Sequence, residues 1–239
     1  MTDGFTPLWS GGPVFCASRH FPLSTDSILL ADFARVRKGE HGIDLGCGAG
    51  ILTLLLSTRQ NGLSMTGLEL LPEAAALCAR NLAANGLSDR SGVLTGDIRL
   101  VRAYFRPGSF DFAVSNPPYF PSGRGALSPD GERARARSES ACTLDELCQA
   151  VKYLCRSGGR FFIVHRAERL SELFCAMSAN AIEPKRLRLV SHRGGAVPSL
   201  ALVEGRRDGR PGLTLEPELL LRDADGCESA ECRRIYHRV

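Results

Sequence analysis

The chain has 239 residues, 44% of them hydrophobic, and carries 30 basic against 26 acidic side chains for a formal net charge of +4. That is enough for one sizeable α/β domain and too short for two full ones, and the mild basicity is compatible with a nucleic-acid partner without requiring one. No apolar run approaches the roughly 18 residues of a membrane span, residues 1–15 lack the basic start and apolar core of a leader, and the nine scattered cysteines show no C-x-x-C or paired Cys/His spacing, so a cytoplasmic protein with no membrane association and no metal site is expected. Only Lys38, Lys152 and Lys185 are lysines. The positive charge is thus almost all guanidinium, which suits bidentate phosphate contacts and stacking on bases; codon bias in a GC-rich genome accounts for it equally well. Cys148, Cys155 and Cys175 fall on apolar helical faces and are expected to be small core residues in a reducing compartment.

Residues 1–20 show little periodicity and are expected to lie as an arm across a sheet or a pocket mouth. Phe21 to Asp26 offers capping residues, and Ile28, Leu29, Phe33 and Val36 predict a helix from Asp26 to Lys38, closed by Lys38-Gly39. Thr25 and Asp26, at its start, either cap it or reach into a neighbouring pocket. Next, Asp44-Leu45-Gly46-Cys47-Gly48-Ala49-Gly50 follows a short apolar segment and runs into Ile51 to Leu56, a pattern of strand, tight turn and helix. Glycines let such a turn approach a ligand closely, while the helix start presents unpaired N–H groups. The spacing Gly46-x-Gly48-x-Gly50 departs from the G-x-G-x-x-G pyrophosphate fingerprint. Asp44 in front of it would repel a pyrophosphate but favour a cationic ligand such as S-adenosylmethionine, which carries an ammonium and a sulfonium. Taken alone, the loop also fits a plain strand-to-helix turn, the less favoured reading.

Leu63 to Leu70 reads as a second strand ending in Glu69, 23 positions after Gly46. That is close to the ~20-residue interval at which an acidic residue meets ribose hydroxyls; a solvated strand-end glutamate is the alternative. Leu70 stands beside it. Pro72 opens a helix that ends before Gly86, and Val93 to Thr95 then delivers Asp97 and Ile98 at a third strand end. Asp97 either accepts from an adenine amino group, with Ile98 against the ring, or caps the following helix. The alternation of strands and helices implies a Rossmann-like, doubly wound, mostly parallel sheet with helices on both faces and ligands at the carboxyl ends of its strands.

The fourth strand, Phe110 to Ser115, runs into Asn116-Pro117-Pro118-Tyr119-Phe120. The prolines fix φ and remove donors, so the segment is rigid and cannot continue a central strand. The Asn116 side-chain oxygen and the Pro117 carbonyl form a two-acceptor clamp for a planar NH2 group, and Tyr119 offers a face for stacking; an ordinary Pro-rich turn is the alternative. Residues 121–140 are expected to be a mobile loop at the pocket mouth, with Arg124, Arg133, Arg135 and Arg137 meeting either phosphates or solvent. Thr143 to Glu146 forms a capping box for a helix running up to Gly158-Gly159. Arg160 to His165 is a fifth strand, and a helix with Leu170, Leu173, Phe174 and Met177 inward follows. Leu187 to Val190 and Leu200 to Val203 read as an antiparallel pair closing the sheet at its C-terminal edge. Residues 205–239 form an extension with one strand-like segment, Leu213 to Leu221.

With these motifs together, the chain resembles the class I S-adenosylmethionine-dependent methyltransferases that modify exocyclic amino groups. More narrowly, it is similar to the bacterial tRNA1(Val) (adenine(37)-N6)-methyltransferase family, through Phe21 to Leu30, Asn116 to Phe120, Ala136 to Glu139 and the terminal Arg234-Ile235-Tyr236. The resemblance implies that Asp44, Gly46, Gly48, Glu69 and Asp97 bind the cofactor, that Asn116 and Tyr119 position an adenine, and that the substrate is tRNA. Gly50, Leu70, Ile98, Thr25 and Asp26 complete the expected cofactor pocket. Rival readings are methylation of a release-factor glutamine, of guanine N2 in ribosomal RNA or of DNA adenine, and a non-catalytic cofactor- or RNA-binding protein. The first is disfavoured because only 43 residues precede Asp44, and the last because the Asn116 to Tyr119 clamp is intact.

Overall fold

The computed structural model describes residues 4–18, 21–117 and 142–238; Pro118, Tyr119, Phe120 and the 121–140 segment lie outside them. A small hairpin, β1 (Thr6–Pro7) and β2 (Val14–Phe15), precedes helix α1 (Thr25–Phe33). The chain then alternates through β3 (His41–Leu45), α2 (Ile51–Arg59), β4 (Ser64–Glu69), α3 (Pro72–Ala84), β5 (Ser91–Thr95), the one-turn α4 (Val101–Tyr104) and β6 (Phe110–Ser115). After the undescribed segment come α5 (Leu144–Leu154), β7 (Cys155–Arg166), α6 (Leu170–Ala179), β8 (Ile182–Arg193), β9 (Leu200–Arg207), β10 (Thr214–Leu215), β11 (Leu219–Arg222) and α7 (Ala230–Ile235). None of the described helices is long and apolar enough to cross a membrane.

Nine strands form one sheet in the order β10-β8-β9-β7-β6-β3-β4-β5, with β11 also on β8. Strand β9 runs antiparallel to both β7 and β8, while the other pairs of this sheet are parallel. This is the expected doubly wound sheet with an antiparallel element toward its C-terminal edge. Because β9 reverses the direction twice over, β8 and β11 again point the same way as β6 and β3, so all their carboxyl ends share one rim. Side chains alternate across the sheet: Phe112, Val114, Phe162 and Val164 face α1, α2 and α3, whereas Ala113, Phe161 and Ile163 face α5 and α6. Burial on both faces is what made these strands read as nearly continuous apolar runs.

Four expectations are corrected. Helix α1 ends at Phe33, not Lys38, where two guanidiniums from the sheet take carbonyls that a longer helix would use: Arg186 Nη2 donates to Phe33 O at 2.7 Å and Arg160 donates to Arg35 O. Cys175 is exposed; α6 buries Leu173 and Met177, four apart, and a residue two positions from each lies off that face. Helix α5 stops at Leu154, and β7 begins at once with Cys155 instead of Arg160. The tail strand is two short strands, split around Pro217, which has no N–H for a ladder.

Candidate active site

A cavity of about 490 Å³ opens at the shared carboxyl-end rim, bordered by the ends of β3, β4 and β6. Its floor is the loop after β3. Gly46 and Gly48 have φ of 75° and 56°, left-handed values that side-chain-bearing residues seldom adopt, and a Cβ at either would point into open space. Gly50 has a different task. It does not border the cavity, and a Cβ there would fall 2.3 Å from Cys78 Sγ, so its missing side chain lets the loop close on α3.

Asp44 is fully buried in the cavity wall. Thr53 donates to its Oδ2 from both N (3.2 Å) and Oγ1 (2.8 Å), while Oδ1 meets no donor among the described residues. Burial pushes the Asp44 carboxyl up to about 7; Thr53 opposes the shift and the nearby Glu69 adds to it. Glu69 ends β4 and accepts from Gly48 N at 2.8 Å and Leu71 N at 2.9 Å, one on each oxygen. It thereby holds the glycine loop, and each carboxylate oxygen keeps a further lone-pair direction. Leu70, Asp97 and Ile98 also border the cavity. Asp97 caps the short turn Ile98–Leu100 by accepting from Arg99 N at 2.8 Å, and it ion-pairs with the Arg99 side chain, which holds its carboxyl below the usual range. The capping alternative is therefore realised at Asp97, in a side chain that still borders the cavity.

Asn116 and Pro117, directly after β6, border the same cavity. Asn116 Nδ2 donates to Ser24 Oγ and Ser27 Oγ, each at 3.0 Å, which sets the amide plane and turns Oδ1 away from α1. Behind it, Ser115 Oγ donates to Leu45 O at 2.8 Å and ties the ends of β6 and β3 together. Ser24 is the N-cap of α1. Thr25 and Asp26 neither provide that cap nor border the cavity; they pair with each other, Thr25 Oγ1 to Asp26 Oδ1 at 3.4 Å. The sequence signal for the missed serines is their spacing, since i and i+3 share a helix face and i+1 and i+2 do not. Tyr119 lies outside the described residues.

The N-terminal segment supplies the remaining wall through Phe15, Phe21 and Pro22. Two asparagines one turn apart on α3 pin it. Asn81 accepts from Cys16 N at 2.8 Å and donates to Cys16 O at 3.1 Å, and Asn85 makes the equivalent pair with Val14 at 2.9 and 2.7 Å. Asn81 Nδ2 also reaches Ala49 O at 2.9 Å, so one side chain joins the arm to the glycine loop.

Residues 8–178 match the family described as Methyltransferase small domain. The tRNA1(Val) (adenine(37)-N6)-methyltransferase of Actinobacillus pleuropneumoniae serotype 5b is 33% identical over 212 residues, covering 85% of this chain and 83% of that protein. The chain belongs to this family of small-domain methyltransferases. The Aliivibrio salmonicida protein of the same name is 32% identical over 140 residues, 58% of this chain and 57% of its own length. Among solved structures, a predicted O-methyltransferase from Agrobacterium tumefaciens shares the fold with a TM-score of 0.73 at 21% identity, over 89% of this chain and 96% of that one. For a methyltransferase of this family the cavity offers a suitable chemistry for S-adenosylmethionine. It has room for a nucleoside-sized ligand, a glycine floor without side chains, and at Asp44 a buried acceptor oxygen with no donor of its own.

Proposed function

We propose that this methyltransferase transfers a methyl group from S-adenosylmethionine to the exocyclic N6 of an adenine in tRNA, next to the anticodon, as one cytoplasmic domain spanning residues 1–239. The observation that carries the reading is the placement of Asn116 and Pro117, with the Asn116 amide fixed by Ser24 and Ser27, in the wall of the same cavity as Asp44 and Glu69. Asp44, Gly46, Gly48, Glu69, Leu70, Asp97 and Ile98 hold the cofactor; Gly50 supports the loop from behind. When bound, S-adenosylmethionine supplies an electrophilic methyl group on a sulfonium.

The protein's share of the chemistry is orientation and electrostatics. An adenine amino nitrogen is a poor nucleophile because its lone pair is delocalised into the ring. Asn116 Oδ1 and the Pro117 carbonyl, accepting its two hydrogens, hold the nitrogen toward a tetrahedral form and stabilise the positive charge that grows on it. The Ser24–Ser27 pair keeps the Asn116 oxygen aimed, so little reorganisation accompanies the reaction. The nitrogen becomes acidic once its fourth bond has formed, and its proton then leaves to water. An adenine in a single-stranded loop reaches such a clamp at a lower unstacking cost than a duplex base.

Single-turnover transfer to unmodified tRNA tests the reading. Asn116→Ala is expected to lose on the order of a hundredfold or more in rate, with cofactor affinity and melting temperature near wild type. A wild-type rate in that variant, or wild-type labelling of release-factor glutamine and not of tRNA, overturns it.

A further inference from the structure

A second cavity, of about 830 Å³, lies at the rim where β8 and β11 end, bordered by His192, Arg193, Leu220, Arg222 and Asp223 and by the β8–β9 turn. Strands β6, β7, β8 and β11 point the same way, so this cavity is on the side of the sheet edge from which Asn116 projects. The cofactor cavity takes the ends of β3, β4 and β6 and the residues after β5; what remains of the rim beside Asn116 is the carboxyl ends of β7, β8 and β11 and the start of the antiparallel β9.

Arg193 and Arg222 are register partners on the adjacent parallel strands β8 and β11. Neighbours in register project from the same face of a sheet, so two arginine side chains leave the same face at the rim and border one cavity. Like charges in that relation destabilise a sheet. Arg222 Nη1 donates to Gly226 O at 2.6 Å, which satisfies one donor and removes no charge. Asp223 also borders the cavity, yet no ion pair joins it to either arginine among the described residues. Arg193 and His192 are exposed, and in the connection from β8 to β9, four residues after Arg193, Val197 is 89% exposed, an apolar side chain held in solvent. A phosphodiester backbone matches this combination: phosphates neutralise guanidiniums, and a ribose or base covers an apolar side chain.

We infer that this cavity is an RNA-backbone subsite, in which Arg193 and Arg222 hold a phosphate of the substrate while its target adenine enters the cavity at Asn116. The inference rests on the tRNA reading above and names the surface that reading requires. The subsite acts on docking and not on the methyl transfer itself.

The test is binding of unmodified tRNA to the full chain across a salt series, read by fluorescence anisotropy, for wild type, the Arg193→Ala/Arg222→Ala double variant and Arg106→Ala. Arg106 is an exposed arginine just before β6, at the opposite end of the strands, and serves as control. The double variant is expected to bind more weakly and to reduce the slope of log affinity against log salt by about one for each phosphate it no longer neutralises. Its S-adenosylmethionine affinity stays unchanged, and kcat is retained at saturating tRNA while KM rises. A salt slope equal to wild type, a loss matched by Arg106→Ala, or no measurable tRNA binding by wild type overturns the inference. If wild type binds tRNA with a slope the double variant loses but transfers no methyl group to it, the subsite stands and the adenine reading falls.

Discussion

At the scale of single residues, the proposed clamp gives positioning to Ser24 and Ser27 and chemistry to Asn116. The serines touch Asn116 Nδ2 at 3.0 Å each, so replacing both by Ala removes the restraint on the amide and leaves its oxygen in place. The Ser24→Ala/Ser27→Ala variant is expected to lose about ten- to a hundredfold in single-turnover methyl transfer, with cofactor affinity unchanged by calorimetry. A wild-type rate would show that Asn116 is held without them. Asp44 gives a second residue-scale prediction. Its carboxyl sits at about 7 against an ordinary 3.8, chiefly through burial. The folded chain therefore keeps that proton to higher pH than the unfolded chain, so the Asp44 contribution to stability is full below about pH 4 and is lost as pH rises toward 7. A cationic ligand favours the carboxylate and reverses this preference. S-adenosylmethionine is thus expected to bind more tightly as pH rises from 6 to 8, and Asp44→Asn is expected to flatten that dependence; parallel pH profiles for the two proteins would disprove it.

At the scale of elements, the connections that shape the site are made by side chains reaching between elements. Asn81 on α3 holds both the arm at Cys16 and the glycine loop at Ala49 with three hydrogen bonds from a fully buried amide. Asn81→Ala leaves those backbone groups unsatisfied and is expected to cost about 1–3 kcal/mol of stability, together with weaker cofactor binding; urea melts with and without S-adenosylmethionine check both. On the other side of the sheet edge, Arg160 is 7% exposed, ion-paired with Glu40 and donating to Arg35 O, and it fixes the segment that leads from α1 into β3. Arg160→Ala strands a nearly buried carboxylate, a change that typically costs about 3–5 kcal/mol. An unfolding midpoint equal to wild type would place that segment under other control.

At the scale of the whole molecule, the glycine loop, Asn116 and the arm meet at one cavity, so ligand binding there is expected to stabilise the sheet and not only a loop. At ~100 times its dissociation constant a single-site ligand adds about 2.7 kcal/mol, which for a chain of this size raises the melting temperature by about 5–10 °C. S-adenosylmethionine is expected to do so for wild type and for Asn116→Ala alike, and to do less at the same concentration for Asp44→Asn. The absence of any shift in wild type would remove the cofactor from the cavity.

The sequence by itself determined the class of sheet and the order of its elements, because burial on both faces writes apolar runs and short glycine- or proline-marked boundaries into the chain. It also put Asp44, Gly46, Gly48, Glu69, Asn116 and Pro117 at strand ends, and the structure brings those ends to the border of one cavity, since residues at strand ends inherit their position from the strand. What only the tertiary structure decided depends on contacts between distant segments. Ser24 and Ser27 meet Asn116 across some ninety positions of chain and Asn81 meets Cys16 across 65; the spacing of the two serines puts them on one face, but nothing local names the partner of either group. Gly50 and Asp44 show the same limit from opposite sides: the one serves packing against Cys78, the other carries a raised pKa, and both follow from what surrounds them. The end of α1 is the plainest case. Its apolar periodicity continues to Val36, but Arg160 and Arg186 take the carbonyls of Arg35 and Phe33. Hydrogen bonds to buried guanidiniums, each anchored by carboxylates of its own, outweigh the one further helical turn that local propensity favours.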